Sequence, residues 1–465
     1  MSKRTITVFF LTMINLATIL SIKNWPFTAG LGLASIFYIA VGAIIFFIPV
    51  SLVAAELATG WPEKGGVFAW VREGLGHKWG FLAVWLLWVE NVVWYPTILS
   101  FIAGSIAFLI NPQLAENNLY AFLVIVVAFW GLTLANLLGM KASSWISTVG
   151  MILGTLIPGC IIIGLGCSWV ASGHDHQLLF SWDSLIPDLS NVGQLAILSG
   201  IALGFGGMEM PAVHAKDVIN PQKDYPRAIF LSATIIIALT VLGSLAIAVV
   251  VPPKQINLIA GPLQAISHFL TAYNLGWSVP VLAVLVTVGA LGGVSTWLAG
   301  PPKGLLAAAE AGDFPPFLHK VNKHGMPVAL MLSQAVIVTL LSLVFLFFPS
   351  VNSSFWILIA LAAQLYVIMY ALMFVSAIIL RYTQPDKPRA YRVPGGKFGM
   401  WLVSGIGFIG CLFIFGIGFF PAEQVDIGTT MFYQAFLAIG IVVVCVLPFL
   451  ILKFKRPSWN KNSSN

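Results

Sequence analysis

The sequence predicts an all-α polytopic membrane protein of twelve membrane-crossing helices, and three observations predict it. Hydrophobic residues make up 59% of the chain and charged ones 8%, against roughly a quarter charged in a soluble domain; the mean hydropathy is +0.96. Apolar runs long enough to cross about 30 Å of hydrocarbon recur along the whole length. The basic residues form short clusters that occupy every second connection between those runs. The net charge of +7 therefore belongs to loops on one membrane face and is no footprint for nucleic acid.

In order, the runs lie near 5–31, 33–58, 79–110, 119–139, 145–170, 193–214, 228–251, 276–300, 327–348, 354–380, 400–420 and 429–452. The start, Met1 to Arg4 followed by an apolar run, has the charge pattern of a signal peptide. No small-residue cleavage site follows, and the run continues through Pro26, so it reads as the first span. Of the 23 lysines and arginines, 21 fall on alternate connections: Lys3/Arg4, Lys64/Arg72/Lys78, Lys141, Lys216/Lys223/Arg227, Lys303/Lys320/Lys323, Arg381/Lys387/Arg389/Arg392/Lys397 and Lys453/Lys455/Arg456/Lys461. The exceptions are Lys254, in an outer loop, and Lys23, inside the first span. A wrong span count would scramble this alternation, so both termini are expected on the cytoplasmic side of the cell (inner) membrane. The opposite loops carry Glu116, Asp175, Asp183, Asp188, Glu423 and Asp426. Cys160, Cys167, Cys411 and Cys445 lie in apolar runs without metal-ligand spacing and read as packed thiols.

Two spans are interrupted. The sixth runs Ser199-Gly-Ile-Ala-Leu-Gly204-Phe205-Gly206-Gly207-Met-Glu209-Met-Pro211. Glycine removes side-chain packing and proline removes a backbone donor, so a helix here is expected to break at mid-depth. A broken helix survives in hydrocarbon only where it lines a cavity or is buried in protein. A carboxylate at that point makes the stretch a binding-site candidate; the competing reading is a glycine-rich helix contact with a buried neutral Glu209. The first span is interrupted at a matching depth by Ser21-Ile22-Lys23-Asn24-Trp25-Pro26. Five spans separate the breaks, so the two segments run in opposite directions, as inverted five-helix repeats with a site between two discontinuous helices require. The repeats are read as about 5–170 and 193–380, followed by two extra helices over 400–452 and a short tail, 453–465, within one transmembrane domain spanning 1–465.

Few other polar residues lie at membrane depth. Glu90 is an acid inside the third run; it and Lys23 either face a substrate or form a structural ion pair. Ser295 and Thr296 precede Trp297 near the middle of the eighth span, and their hydroxyls could serve a sodium site or bond to their own helix backbone. Tyr366 and Tyr370 in the tenth span share a helix face, with substrate contact or packing as the two roles. Glu56, near the cytoplasmic end of the second span, reads as structural. The chain has no Gly-x4-Gly-Lys-Ser/Thr loop, no His-Glu-x-x-His pair and no Gly-x-Ser-x-Gly elbow, so neither an ATP-driven pump nor a membrane-embedded enzyme of those types is expected. His174-Asp-His176 reads as solvated loop; no metal and no cofactor are expected.

Several stretches, in chain order, resemble the amino acid–polyamine–organocation (APC) superfamily. They are Ala54-Ala-Glu-Leu-Ala-Thr59 with Trp61-Pro-Glu-Lys-Gly-Gly-Val-Phe-Ala-Trp-Val71, Gly207-Met-Glu209 with Asn220-Pro-Gln-Lys-Asp-Tyr-Pro226, and Trp297-Leu-Ala-Gly-Pro-Pro-Lys-Gly304 with Phe314-Pro-Pro-Phe317. Gln384-Pro-Asp-Lys-Pro-Arg-Ala-Tyr-Arg-Val-Pro-Gly-Gly396 and Phe419-Phe-Pro421 narrow the resemblance to the bacterial glutamate/GABA antiporter branch. The resemblance implies a twelve-helix LeuT-type fold that exchanges amino acids without sodium. Carried over residue by residue, it places Lys23, Glu209, Trp297, Tyr366 and Tyr370 at substrate-site positions. The chain departs from the branch at Lys23-Asn-Trp-Pro26, where the branch has a Tyr-Glu-Tyr-Pro type of sequence. It departs again after the last span, where Lys453 to Asn465 is too short for the C-terminal plug of the acid-sensing antiporters.

The function expected is secondary active transport of amino acids, most simply exchange. A proton-coupled amino acid or polyamine permease is the alternative, and a non-transporting amino acid sensor is a third reading. The candidate substrate-binding residues are Ser21, Ile22, Lys23, Gly204, Phe205, Gly206, Gly207, Glu209, Glu90, Ser295, Trp297, Tyr366 and Tyr370. The expected partners are the amino acid substrate and the lipid bilayer, with a homodimer left open.

Overall fold

Backbone amides in hydrocarbon have no water to bond to, so each apolar run is expected to close its own hydrogen bonds as a helix. The computed structural model of the chain, which describes residues 6–62, 65–138, 150, 152–178, 180–212, 218–423 and 425–459, is helical, with no strand beyond isolated bridges among those residues. The helices are α1 (Val8–Ile19), α2 (Trp25–Ala29), α3 (Gly32–Gly60), α4 (Val67–Leu75), α5 (His77–Ile110), α6 (Asn118–Leu137), α7 (Ile152–Ala171), α8 (Val192–Phe205), α9 (Glu209–Ala212), α10 (Pro221–Val250), α11 (Gly261–Ala272), α12 (Gly276–Asp313), α13 (Val328–Phe347), α14 (Val351–Thr383), α15 (Gly396–Ile417) and α16 (Thr430–Lys453). Ten of these are long and apolar enough to cross a membrane, and α1 and α2 add an eleventh if taken as one span bent by 46°. The expected sixth span appears as α8 and the single turn α9, and α8 alone is too short to cross. Lys3, Arg4, Lys64, Lys141, Lys216, Lys461, residues 145–149 of the fifth expected span and 213–214 of the sixth lie outside the described residues.

The centre of the bundle is α14 packed against α5. The most apolar stretch of α14 is 83% buried, whereas that of α16 is 17% buried and turns Ile439, Val442, Val443 and Val446 outward, as a lipid-facing helix does. Small residues let backbones approach: a Cβ on Gly154 of α7 would lie 2.2 Å from the Cα of Gly289 in α12. Cys160 and Cys167 are exposed on α7 rather than packed, correcting the expectation for those two thiols. Apolar contact alone discriminates poorly between helices in lipid, and α5 adds specific bonds. Pro448 in α16 and Pro301 in α12 have no N–H for the carbonyls four residues before them, Val444 and Trp297. Both carbonyls accept from α5 instead, Val444 from the Trp85 indole at 2.9 Å and Trp297 from the Tyr95 hydroxyl at 2.9 Å.

One end of the bundle is tied by charge. Glu56 of α3 is buried and accepts from Arg381 Nε of α14 at 2.6 Å, from Arg381 Nη2, and from the Val393 amide at 2.7 Å, with Arg389 Nη1 3.2 Å away. This is the structural role expected for Glu56. At the same end, buried Asp313 closes α12 and takes bonds at 2.8 Å from His77, which starts α5, and at 2.8 Å from Lys455, just past α16. Glu56→Ala would leave two buried guanidinium groups without their carboxylate. It is expected to lower stability by about 3 kcal/mol or more, read as a lower thermal midpoint in detergent. An unchanged midpoint would show that the carbonyls around Arg381 and Arg389 suffice.

Candidate functional site

The first break follows from local chemistry. Leu20 and Ser21 leave the helix in extended conformation, a short 3-10 turn covers Ile22–Asn24, and Pro26 sits in the first turn of α2, where its missing N–H is tolerated. The second break opens at Gly206, which is extended, and Gly207, whose φ of +107° is one that few residues other than glycine adopt. Close contacts require glycine here too. A Cβ on Gly206 would fall 2.2 Å from the Tyr366 ring, one on Gly207 2.9 Å from the Trp297 ring, and one on Gly204 2.8 Å from the Asn24 amide nitrogen. The glycines thus let α12, α14 and the first break press against the second.

Glu209 follows that break and is 3% exposed. Tyr366 donates to its Oε1 at 2.6 Å and Tyr370 donates to Oε2. The Gly207 amide, freed by the break, donates to the Tyr370 hydroxyl at 2.8 Å. The two rings lie 4.7 Å apart, as their spacing on one helix face predicts. One relay therefore runs from the broken backbone through Tyr370 to the carboxylate, so a stray amide and a buried acid satisfy each other.

A cavity of about 70 Å3 lies between the breaks. Ser21, Lys23, Gly204, Gly206, Glu90, Trp297 and Tyr366 line it, together with Thr18, Asn24, Asn91 and Trp94, which sequence reasoning did not single out. Ile22, Gly207, Glu209, Ser295 and Tyr370 are not on its wall. Ile22 is buried towards Gly159 of α7, Phe205 packs on Phe47 at 5.4 Å, and Ser295 accepts from Asn136 of α6 at 3.0 Å. The side chain of Thr296 lies outside what is described.

Lys23 is 2% exposed and donates to Thr97 of α5 at 3.1 Å, with its ammonium 5.4 Å from the centre of the Trp94 ring and 5.3 Å from that of Phe355. Such faces attract a cation more strongly when water is excluded. Glu90 accepts from its neighbour Asn91 at 2.8 Å. Among the described residues no salt bridge joins Lys23 to Glu90, so a cation and an anion both border the cavity, each with a neutral partner. Trp297 is set by the Pro301–Tyr95 arrangement and lies 6.2 Å from Trp94, ring centre to ring centre.

Two broken helices facing each other across a polar cavity inside a bundle of apolar helices are an arrangement found in secondary transporters. The amino acid permease model matches residues 4–444 of the chain. The chain belongs to the amino acid permease family. It is 44% identical over 453 residues to an uncharacterised transporter of Legionella pneumophila, covering 97% of each chain. It is 34% identical over 457 residues to a glutamate/gamma-aminobutyrate antiporter of Lactococcus lactis, covering 97% of this chain and 91% of the relative. A probable agmatine/putrescine antiporter of Lactococcus lactis is 23% identical over 429 residues. This permease is thus a multi-pass membrane protein of the APC superfamily that resembles the glutamate/GABA antiporter branch, as its motifs led one to expect.

The relay separates the two tyrosines. Tyr370→Phe leaves the Gly207 amide unpaired, at about 1–3 kcal/mol, whereas Tyr366→Phe removes one bond to a carboxylate that keeps another. Tyr370→Phe is expected to depress both the thermal midpoint and transport, and Tyr366→Phe the midpoint much less. Equal midpoints for the two variants would dissolve the relay.

Proposed function

We propose that this permease is a sodium-independent secondary transporter that exchanges amino acids across the cell membrane, with the substrate held between the two helix breaks. The observation that carries this is the cavity bordered by both breaks, Lys23 and Glu90. The reading includes twelve helices with both termini cytoplasmic, a first five-helix repeat over about 5–170 and an inverted second over 193–380. It is supported by the matching interruptions at Leu20–Ser21 and Gly206–Gly207, five spans apart. In this reading, amides at the half-helix N-termini attract the substrate carboxylate, freed carbonyls and Glu90 face the amine, and Lys23 sorts the side chain. The cavity is far smaller than the roughly 300 Å3 of a ligand-holding pocket, so substrate entry has to part the elements around it. Counterflow in proteoliposomes loaded with single amino acids tests the proposal. Absence of exchange with every amino acid would reject it.

A second reading, a proton-coupled amino acid or polyamine permease, is favoured by the buried acids Glu90 and Glu209 and by the likeness to a probable agmatine/putrescine antiporter. Uptake driven by an imposed pH gradient with no counter-substrate inside would select it.

Glu209→Gln preserves shape while removing the charge that both tyrosines serve. It is expected to leave the protein folded and to lower exchange strongly; normal rates across pH 5–8 would reduce Glu209 to packing. Lys23 sets a second expectation. Two unit charges about 4 Å apart interact by roughly 4 kcal/mol at an effective dielectric near 20, and desolvation removes much of that. Even 1.4 kcal/mol is about ten-fold in affinity. Arginine, lysine and polyamines are therefore expected to be poor substrates, and Lys23→Tyr should shift selectivity towards the antiporter branch. Efficient counterflow of arginine or agmatine by the unaltered protein would remove Lys23 from the selectivity account.

A further inference from the structure

We infer that the permease holds one anionic phospholipid, its acyl chain in a groove between α14 and α15 and its phosphate among Lys78, Lys397 and Lys453. The groove measures about 430 Å3 and opens on the outer surface of the bundle. Its floor is Val367, Ala371 and Val375 of α14; Phe408, Leu412 and Phe415 of α15 form one wall, and Leu75 and Trp79 close one end. On α14 and α15 these residues recur at three- and four-residue spacing, so each helix gives the groove one stripe. The stripes run for about 12 Å on α14 and about 10 Å on α15 at 1.5 Å per residue, most of one leaflet of a hydrocarbon core about 30 Å thick. No charged side chain lines it.

The end closed by Leu75 and Trp79 is the end of the bundle tied by Glu56 and Asp313. Aromatic residues suited to the headgroup level gather there. Trp79 is 44% exposed and packs edge-on against Phe449 of α16. Trp401, exposed at the start of α15, donates to the Tyr382 hydroxyl at 3.0 Å. Tyr382 is seven residues, about 10 Å, past Val375 along α14. Tryptophan and tyrosine favour this depth because one part of the ring is apolar and the other polar. Lys397 holds its ammonium 4.5 Å from the centre of the Tyr382 ring. Lys78 adjoins Trp79, Lys453 lies one turn past Phe449, and both are exposed. The nearest acid in sequence, Glu73, is engaged by Arg72 at 3.4 Å and by Gln384 at 3.5 Å. Three exposed lysines on the elements that frame this end of the groove favour a phosphate-bearing, negatively charged amphiphile over a zwitterionic one. The occupant would also brace the helix behind the site, because Val367 and Ala371 are the chain neighbours of Tyr366 and Tyr370.

The experiment is native mass spectrometry of the purified full chain after delipidation and titration with phosphatidylglycerol or phosphatidylcholine. One tightly held phosphatidylglycerol is expected, preferred about ten-fold or more over phosphatidylcholine. The triple variant Lys78→Gln, Lys397→Gln, Lys453→Gln should bring that preference below about two-fold. Ala371→Trp, which fills the floor, and Leu412→Trp, which narrows the exposed rim, should each release the lipid while the far-ultraviolet circular dichroism stays that of the unaltered protein. Equal retention of the two lipids, or undiminished retention by Leu412→Trp, overturns the inference. So does a dimer that Leu412→Trp dissociates, since a second copy would then be the occupant.

Discussion

A broken helix inside hydrocarbon leaves polar backbone groups that nothing around it will solvate, and this constraint organises the site. At Gly206–Gly207 the helical ladder is interrupted, and the Tyr370 hydroxyl takes over the Gly207 amide. That hydroxyl has a proton to place in turn, and Glu209 accepts it, with Tyr366 on the other oxygen. A buried carboxylate is tolerable only when its lone pairs are occupied. The break, the acid and the two tyrosines thus require one another. Removing Tyr370 leaves the Gly207 amide without its acceptor, whereas removing Tyr366 leaves the carboxylate one tyrosine.

The same arrangement divides the site in two. Tyr366 reaches both parts, since its ring borders the cavity and its hydroxyl holds Glu209 behind it. Changes in the cavity can reach the carboxylate through one side chain. Lys23 and Glu90 stand on the cavity side, each bonded to a neutral partner, and a zwitterion between them would meet both signs of charge. The ties at the Glu56 end join α3, α14 and the segment leading into α15, while Asp313 joins the ends of α5 and α12 to the chain just past α16. Entry of any solute into the cavity would require motion around it, and these ties mark the end where motion has most to undo.

The parts of this picture that act over a few residues could be read from the sequence. Pro26, at the start of α2, and Gly206–Gly207, at the end of α8, mark the interruptions from the residues themselves, and Glu209, Tyr366 and Tyr370 announce themselves as polar groups in apolar runs. The apolar runs anticipated the ten membrane-length helices, although the break leaves α8 shorter than a membrane-crossing helix. Contacts between distant segments were not readable. Thr97, which meets Lys23, is 74 residues away, and a threonine in a membrane helix usually bonds to its own backbone. Asn24, Asn91 and Trp94 carry no signal separating a cavity wall from a helix contact. Ser295 shows the converse, a polar residue at the right depth that Asn136 engages instead.

The prolines of α12 and α16 have a consequence for how neighbours recognise one another. Leucine and valine surfaces cannot tell one helix from another in a solvent that is itself hydrocarbon. A carbonyl stripped of its donor can, because only a neighbour carrying an N–H or O–H at the right height answers it. Tyr95 and Trp85, ten residues apart on α5, answer two such carbonyls on two different helices. Each proline therefore works as an address written into one helix and read by another. An insertion of one residue between Trp85 and Tyr95 would turn one part of α5 against the other by about 100° and misdeliver one of the two.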